Sequence, residues 1–150
     1  MRVIRSIVTI GLAVVALGAN AQTAIDQGSE DSGIIAIGEP PALEDLLWVA
    51  RPVVVFADTP NDPRFAQQME MLQERQEDLA DRDVIVLVDT DPDAKGPLRL
   101  KLRPRGFGLV LIDKDGTVAK RRPAPTTSRE LINLIDRMPS RHQETGSFRQ

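Results

Sequence analysis

The chain predicts an α/β fold in which helices flank a central mixed sheet of about four strands. Two apolar runs of strand-forming residues, 53–57 and 84–89, enclose a helical stretch, which is the pattern of a parallel β-α-β unit. Two further strand-like segments flank Asp113-Lys114-Asp115-Gly116, a sequence typical of a hairpin turn. The sheet is therefore expected to combine a parallel pair with a C-terminal antiparallel hairpin.

Residues 1–21 resemble a signal peptide. Arg2 and Arg5 precede the apolar run 7–17, and Ala19-Asn20-Ala21 fits a small-residue cleavage site. The alternative is an N-terminal anchor that is not cleaved. Cleavage predicts a periplasmic or secreted protein with no stable membrane insertion afterwards.

The remaining chain divides by composition. Residues 22–41 are polar, rich in Gly and Ser and closed by two prolines, which favours a flexible leader. Residues 42–144 carry the predicted elements and form the expected domain. Residues 145–150 are predicted to be a disordered tail.

The first predicted helix covers about residues 42–49, because Leu43, Leu46, Leu47 and Ala50 fall on one helical face. Trp48, at the end of that helix, is expected to lie in the core.

The helix between the two apolar strands is expected to begin at Pro63, capped by Asn61 or Asp62. Its apolar stripe extends from Phe65 to Leu79, and its outer face is acidic.

Segment 96–103 is ambiguous, since leucines at every second position suggest a strand while a short helix fits equally well. The last helix is expected to open with a capping box of Thr127 and Glu130 and to end at Pro139. His142, the only histidine, then falls in the expected mobile tail.

The chain contains no cysteine, which excludes thiol nucleophiles, thiolate metal sites and dithiol exchange. Charge is distributed unevenly: residues 26–94 carry 4 basic and 17 acidic side chains, whereas residues 95–150 carry 13 basic and 5 acidic ones. Nucleic acid is not expected as a partner of an exported acidic chain that has few aromatic residues for stacking.

The element order and the stretch "RGFGLVLIDKDGTV" resemble the thioredoxin fold. The resemblance implies a cis-proline before the apolar strand, where this chain has Gly108, and a cysteine pair within residues 58–63, where it has none. The thiol-disulfide oxidoreductase activity of that family is therefore not expected.

The segments "RPVVVFA", "LADRDVIVLVD", "LIDKDGTV" and "LIDRMPSRHQE" resemble a DUDES-type domain of unknown function. That is a thioredoxin-like module of short exported bacterial proteins. The resemblance covers about residues 44–144 and implies no settled activity and no catalytic residues.

Acidic side chains follow both predicted parallel strands, at the edge where open α/β sheets place their ligands. They form a candidate acid-base or cation site, and the favoured alternative is a helix cap followed by a solvated acidic loop. The spacing does not fit an EF-hand, and no metal ligand set is predicted. The candidate residues are Asp58, Asp62, Asp89, Asp91 and Asp93.

Two basic runs bracket the third strand and the hairpin and are expected to converge on an anion-binding surface. The alternative is a solvated charged surface paired with the acidic helix. The candidate residues are Arg99, Lys101, Arg103, Arg105, Lys120, Arg121 and Arg122, with Lys95 at the start of the first run.

The sequence therefore predicts an exported non-redox thioredoxin-like module that binds an envelope protein or an anionic polymer. No catalytic residue and no cofactor are assigned. The alternative is a carboxylate- or metal-dependent enzyme that uses the Asp-rich loops after the first two strands.

Overall fold

The computed structural model describes Ile35 and residues 39–146. The predicted signal peptide, most of the predicted leader and residues 147–150 of the predicted tail lie outside the described residues. No helix in the described part of the chain is long and apolar enough to cross a membrane.

Four strands form one mixed sheet in the order β2-β1-β3-β4. The two central strands, β1 and β3, are antiparallel, as are β3 and β4, whereas β1 and β2 are parallel. The predicted four-stranded sheet is confirmed. Its strands are β1 (Arg51–Phe56), β2 (Val84–Asp89), β3 (Gly108–Ile112) and β4 (Val118–Arg122).

Among residues 39–146, five α-helices and one turn of 3₁₀ helix flank the sheet. The 3₁₀ turn, Leu43–Leu46, replaces the longer helix predicted there. The α-helices are α1 (Pro63–Gln73), α2 (Gln76–Ala80), α3 (Pro97–Leu102), α4 (Ser128–Ile135) and α5 (Pro139–Gly146).

The central strands β1 and β3 are buried on both faces of the sheet, which is why the sequence there is mostly apolar. Val53 and Val55 of β1 point into a core that includes residues of α1, α2 and α4. Val54 and Phe56 point the other way, into a smaller core completed by α3 and the 3₁₀ turn. Successive residues of β1 therefore belong to different cores.

Segment 97–102 is helical. Pro97 occupies the first turn, where its missing N–H leaves no hydrogen bond unmade. Leu98 and Leu102, one helical turn apart, are buried, while Leu100 between them is 63% exposed. A strand would have placed all three leucines on one face, so burial decides between the two alternatives that the sequence left open.

Trp48 is not in the core, and that prediction is wrong. Its backbone adopts φ 62°, a left-handed conformation that is rare for a bulky residue. The backbone N–H of Trp48 donates to the Lys114 carbonyl at 2.7 Å, which holds the turn. The side chain is 68% exposed as a result.

The helix predicted between β1 and β2 is broken into α1 and α2. Arg75 lies at the break with φ −134° and ψ 43°, outside the helical region. No Gly or Pro marks this break in the sequence.

The prediction of a mobile tail after Pro139 is wrong, although the preceding helix does end before that residue. That helix is α4, and Pro139 then opens α5, a position that suits proline. His142, Thr145 and Gly146 therefore belong to a helix and not to a mobile tail.

Candidate functional site

The turn after β1 is built around the cap of helix α1. The Asp62 carboxylate accepts from the Arg64 backbone N–H at 2.9 Å and pairs with the Arg64 guanidinium at 2.8 Å. Asp62 is therefore the cap and Asn61, which is exposed, is not. Hydrogen bonds from Arg64 hold the pKa of Asp62 below its usual value, the opposite of what a general acid needs.

Arg99 of α3 occupies the space behind that turn. Its guanidinium donates to the Asp89 carboxylate at 3.1 Å and to the Ala57 carbonyl at 2.9 Å, and it lies 3.8 Å from an Asp58 oxygen. It also lies 5.5 Å from the centre of the Phe56 ring. The Arg99 side chain is only 11% exposed. Because it contacts Asp89 and Asp58, it lies with the acidic candidates and apart from the other basic ones.

The acidic candidates do not form a metal centre. Asp91 accepts from the backbone N–H groups of Asp93 and Ala94, which closes a local turn. Asp58 and Asp89 share Arg99, and Asp62 has Arg64. Across the described ranges, no three acidic or histidine side chains converge as a bound cation would require. The geometry therefore explains these residues as a cap, a turn and an ion pair.

The basic candidates lie in two different environments. Lys101 pairs with Glu44, and Arg99 is enclosed as described above. Arg103 and Arg105 follow α3, where Arg103 has φ 49° and ends that helix in a left-handed conformation. No carboxylate in the described part of the chain pairs with Arg103 or Arg105.

Four arginines surround a groove of about 240 Å³ between the loop after α3 and strand β4. Pro104 and Pro123 contribute accessible apolar surface to it, and the rings of Phe56 and Phe107 are buried beneath it. We call this cavity the arginine groove; its arginines are Arg103, Arg105, Arg121 and Arg122.

Strand β4 divides its basic side chains between the two faces of the sheet. Arg121 lies opposite Val110, and its guanidinium donates to the Leu102 carbonyl at 2.8 Å on the α3 side. Arg122 lies opposite Leu109 and pairs with Glu130 of α4 on the other side. The expected single basic face is therefore not observed, because side chains alternate along a strand.

Arg51 is a structural residue that the sequence did not reveal. It is fully buried at the start of β1, and its guanidinium donates to the Arg82 carbonyl and Ser140 Oγ at 2.8 Å and to Glu144 at 2.9 Å. Its Nε lies 3.4 Å from the Asp113 carboxylate. The only signal in the sequence was an arginine that directly precedes an apolar run.

Glu144 of α5 completes this charged cluster. Burial by itself would raise the pKa of Glu144, but hydrogen bonds from Lys114, Arg51 and Arg141 outweigh burial and lower it to about 2. The cluster joins α5 to the start of β1 and the end of β3, at the opposite end of β1 from the turn after that strand. It is therefore a structural anchor and not part of the candidate site.

The chain belongs to the family described as "Domain of unknown function (DUF4174)". The family matches residues 42–144, the whole predicted domain. No curated protein matches the chain. A domain of unknown function is thus confirmed, whereas the finer resemblance to a DUDES-type domain of exported bacterial proteins stays a prediction.

Solved structures of thioredoxin-like proteins share the fold. The exposed lipoprotein thioredoxin of Streptococcus pneumoniae is 16% identical with a TM-score of 0.52, over 71% of this chain and 96% of that one. The reduced 2-Cys peroxiredoxin of Plasmodium vivax is 15% identical with a TM-score of 0.52, over 69% and 84%. Such identities show the fold alone. The thioredoxin-like prediction is confirmed, in a chain that has no cysteine.

Proposed function

We propose that this thioredoxin-like domain is an exported, non-redox binding module that takes an anionic partner at the arginine groove. One observation carries the proposal. Four arginines line a single groove, and three of them, Arg103, Arg105 and Arg121, have no carboxylate partner among residues 39–146. The Arg122 guanidinium pairs with Glu130 on the other face of the sheet.

The charge of the groove argues for an external anion. Arginines gathered around one cavity repel each other, and this repulsion costs stability unless opposite charge is nearby. Glu130 offsets only Arg122. A carboxylate, sulfate or phosphate can accept two parallel hydrogen bonds from one guanidinium, so arginine suits such groups better than lysine does.

The apolar lining of the groove favours a ligand that also has an apolar part. Pro104 and Pro123 are partly or fully exposed there, whereas the rings of Phe56 and Phe107 are buried beneath the groove. Small-molecule and peptide sites commonly combine apolar walls with a few polar groups that fix orientation.

The non-redox part of the proposal rests on chemistry. Disulfide exchange needs a thiolate nucleophile, and the chain has no cysteine to supply one.

The proposal of export rests on Arg2, Arg5, the apolar run 7–17 and Ala19-Asn20-Ala21. Mass spectrometry of the protein from its native source is expected to find Gln22 at the N-terminus; an intact Met1 would contradict export.

The anion-binding proposal is tested by retention on immobilised heparin at low salt. The wild-type domain should be retained and should elute as salt rises, because the screening length shrinks to about 8 Å at physiological ionic strength. The double variant Arg103→Glu/Arg105→Glu should lose retention.

The control is Arg75→Glu/Arg137→Glu, which changes net charge by the same amount at exposed positions away from the groove. This control should elute close to wild type. Equal losses in both double variants would reduce the effect to net charge, and an unretained wild-type domain would remove the proposal. Far-UV circular dichroism establishes that each variant is folded.

A further inference from the structure

The outer edge of β4 has no partner strand in the described part of the chain. β4 is the last strand in the order β2-β1-β3-β4, and its inner edge pairs with β3. Alternate backbone N–H and C=O groups of an edge strand face solvent and can pair with another chain. Val118, Ala119, Lys120 and Arg121 are all exposed along this strand.

The charge on this edge disfavours a second copy of the same strand. Lys120, Arg121 and Arg122 are consecutive, so two copies of β4 side by side would place like charges against each other. Directly opposite like charges destabilise a strand pair. An acidic strand placed beside β4 would instead stabilise the pair, because opposite charges then lie across from each other.

We propose that the outer edge of β4 binds an acidic, extended segment of another polypeptide as an added strand. This inference rests on the proposed function and names its partner class. The added strand continues the sheet beyond β4, so its carboxylates meet the basic side chains of β4 directly.

The basic side chains of β4 project alternately to the two faces of the sheet, and this favours an added strand over a flexible polyanion as the partner. Lys120 and Arg122 project to the α4 side of the sheet, and Arg121 projects to the α3 side. Side chains of neighbouring strands lie about 5 Å apart on each face. An acidic strand therefore reaches the cations on both faces at once, whereas a polymer bound to one face reaches only part of them.

The arginine groove adds a position for an apolar side chain. It opens beside the C-terminal end of β4, since Arg121, Arg122 and the exposed Pro123 border it. Main-chain pairing supplies affinity in strand addition, and side-chain pockets supply specificity. The expected partner thus carries acidic residues and one apolar or aromatic residue that reaches the groove.

The test uses a fluorescent eight-residue peptide in which three consecutive Glu residues are flanked by Val and Thr, so that its carboxylates project to both faces of an added strand, with binding measured by anisotropy at low salt. Two further peptides have the same sequence but are N-methylated at the odd or at the even positions. Only alternate N–H groups of an added strand face β4. One methylated peptide should therefore bind at least tenfold more weakly than the parent, while the other keeps affinity within about twofold.

Variants of the protein supply the second arm. Lys120→Glu/Arg121→Glu should weaken binding of the parent peptide at least tenfold, and Arg75→Glu/Arg137→Glu should leave it nearly unchanged. Equal binding by both methylated peptides would overturn strand addition, because simple charge attraction does not distinguish them.

The heparin experiment separates this inference from the proposed function. If heparin is retained and the methylated peptides bind alike, strand addition is wrong while anion binding stands. If neither heparin nor peptide binds, both proposals fail. The basic residues of β4 then serve to block edge-to-edge aggregation, a common use of charge on edge strands.

Discussion

Replacement of Arg51 by Met is expected to be among the most destabilising single changes in the domain. The guanidinium is fully buried and donates three hydrogen bonds at 2.8–2.9 Å, to Arg82, Ser140 and Glu144. Glu144 keeps Lys114 and Arg141 when Arg51 is removed. Asp113, in contrast, has no other cation partner among the described residues and is 8% exposed.

The magnitude follows from that carboxylate, which keeps hydrogen bonds from Ser140 Oγ and the Lys114 backbone N–H but loses its cation partner. Removal of one member of a buried ion pair typically costs about 3–5 kcal/mol, because the remaining charge stays desolvated. Arg51→Met should lower the free energy of unfolding by that amount. Arg137→Met, an exposed control, should change it by less than about 0.5 kcal/mol.

Urea unfolding followed by far-UV circular dichroism measures both variants. Trp48 is a poor fluorescence reporter, because it is already 68% exposed in the folded state. A second substitution identifies the cause: Asp113→Asn removes the stranded charge and should recover at least about 1 kcal/mol in the Arg51→Met background. A loss below 1 kcal/mol for Arg51→Met, or no recovery in the double variant, would refute this reasoning.

Two further predictions concern the cap of α1 and the acid sensitivity of α5. Asp62→Ala should lower the free energy of unfolding by about 1–2 kcal/mol, the usual effect of a lost cap, whereas Asn61→Ala should change it little; equal effects in thermal melts would contradict the assignment of the cap to Asp62. Glu144 has a pKa lowered from 4.5 to about 2, so its contribution is complete above pH 4.5 and is lost as pH falls toward 2. Since the carboxylate is partly exposed, we expect that contribution to be about 1–2 kcal/mol. It is measured as the difference in the free energy of unfolding between wild type and Glu144→Gln, at pH 6 and at pH 2.5. A difference that does not change with pH would contradict the prediction.

Much of the fold could be predicted because the pattern of each element is local. The apolar runs of β1 and β2, the hairpin turn at Gly116 and the cap by Thr127 each occur within a few residues. Their periodicity and turn chemistry are nearly independent of the rest of the chain. The secondary structure of segment 97–102 was harder to predict, because the spacing of its leucines fits both a strand and a helix. Only the burial of Leu98 and Leu102 with Leu100 exposed excludes a strand.

The candidate site was predicted less well because it depends on contacts between distant residues. The sequence placed Arg99 with the basic candidates, but it lies against Asp89 and Asp58 once α3 packs beside β2. The basic residues of β4 were expected on one face, and strand alternation divides them. Trp48 was expected in the core, and one left-handed backbone angle turns it outward.

The sequence by itself determined the sheet, its mixed topology and the absence of thiol chemistry, because strand patterns are local and a missing cysteine cannot be supplied by packing. Only the tertiary structure decided which charges meet. It brought Arg51 to Asp113 and Glu144 across 62 and 93 residues, and it left Arg103, Arg105 and Arg121 together around one groove. Ion pairing acts over a few ångströms in space and leaves no periodic trace along the chain, so its partners become visible only after the chain has folded.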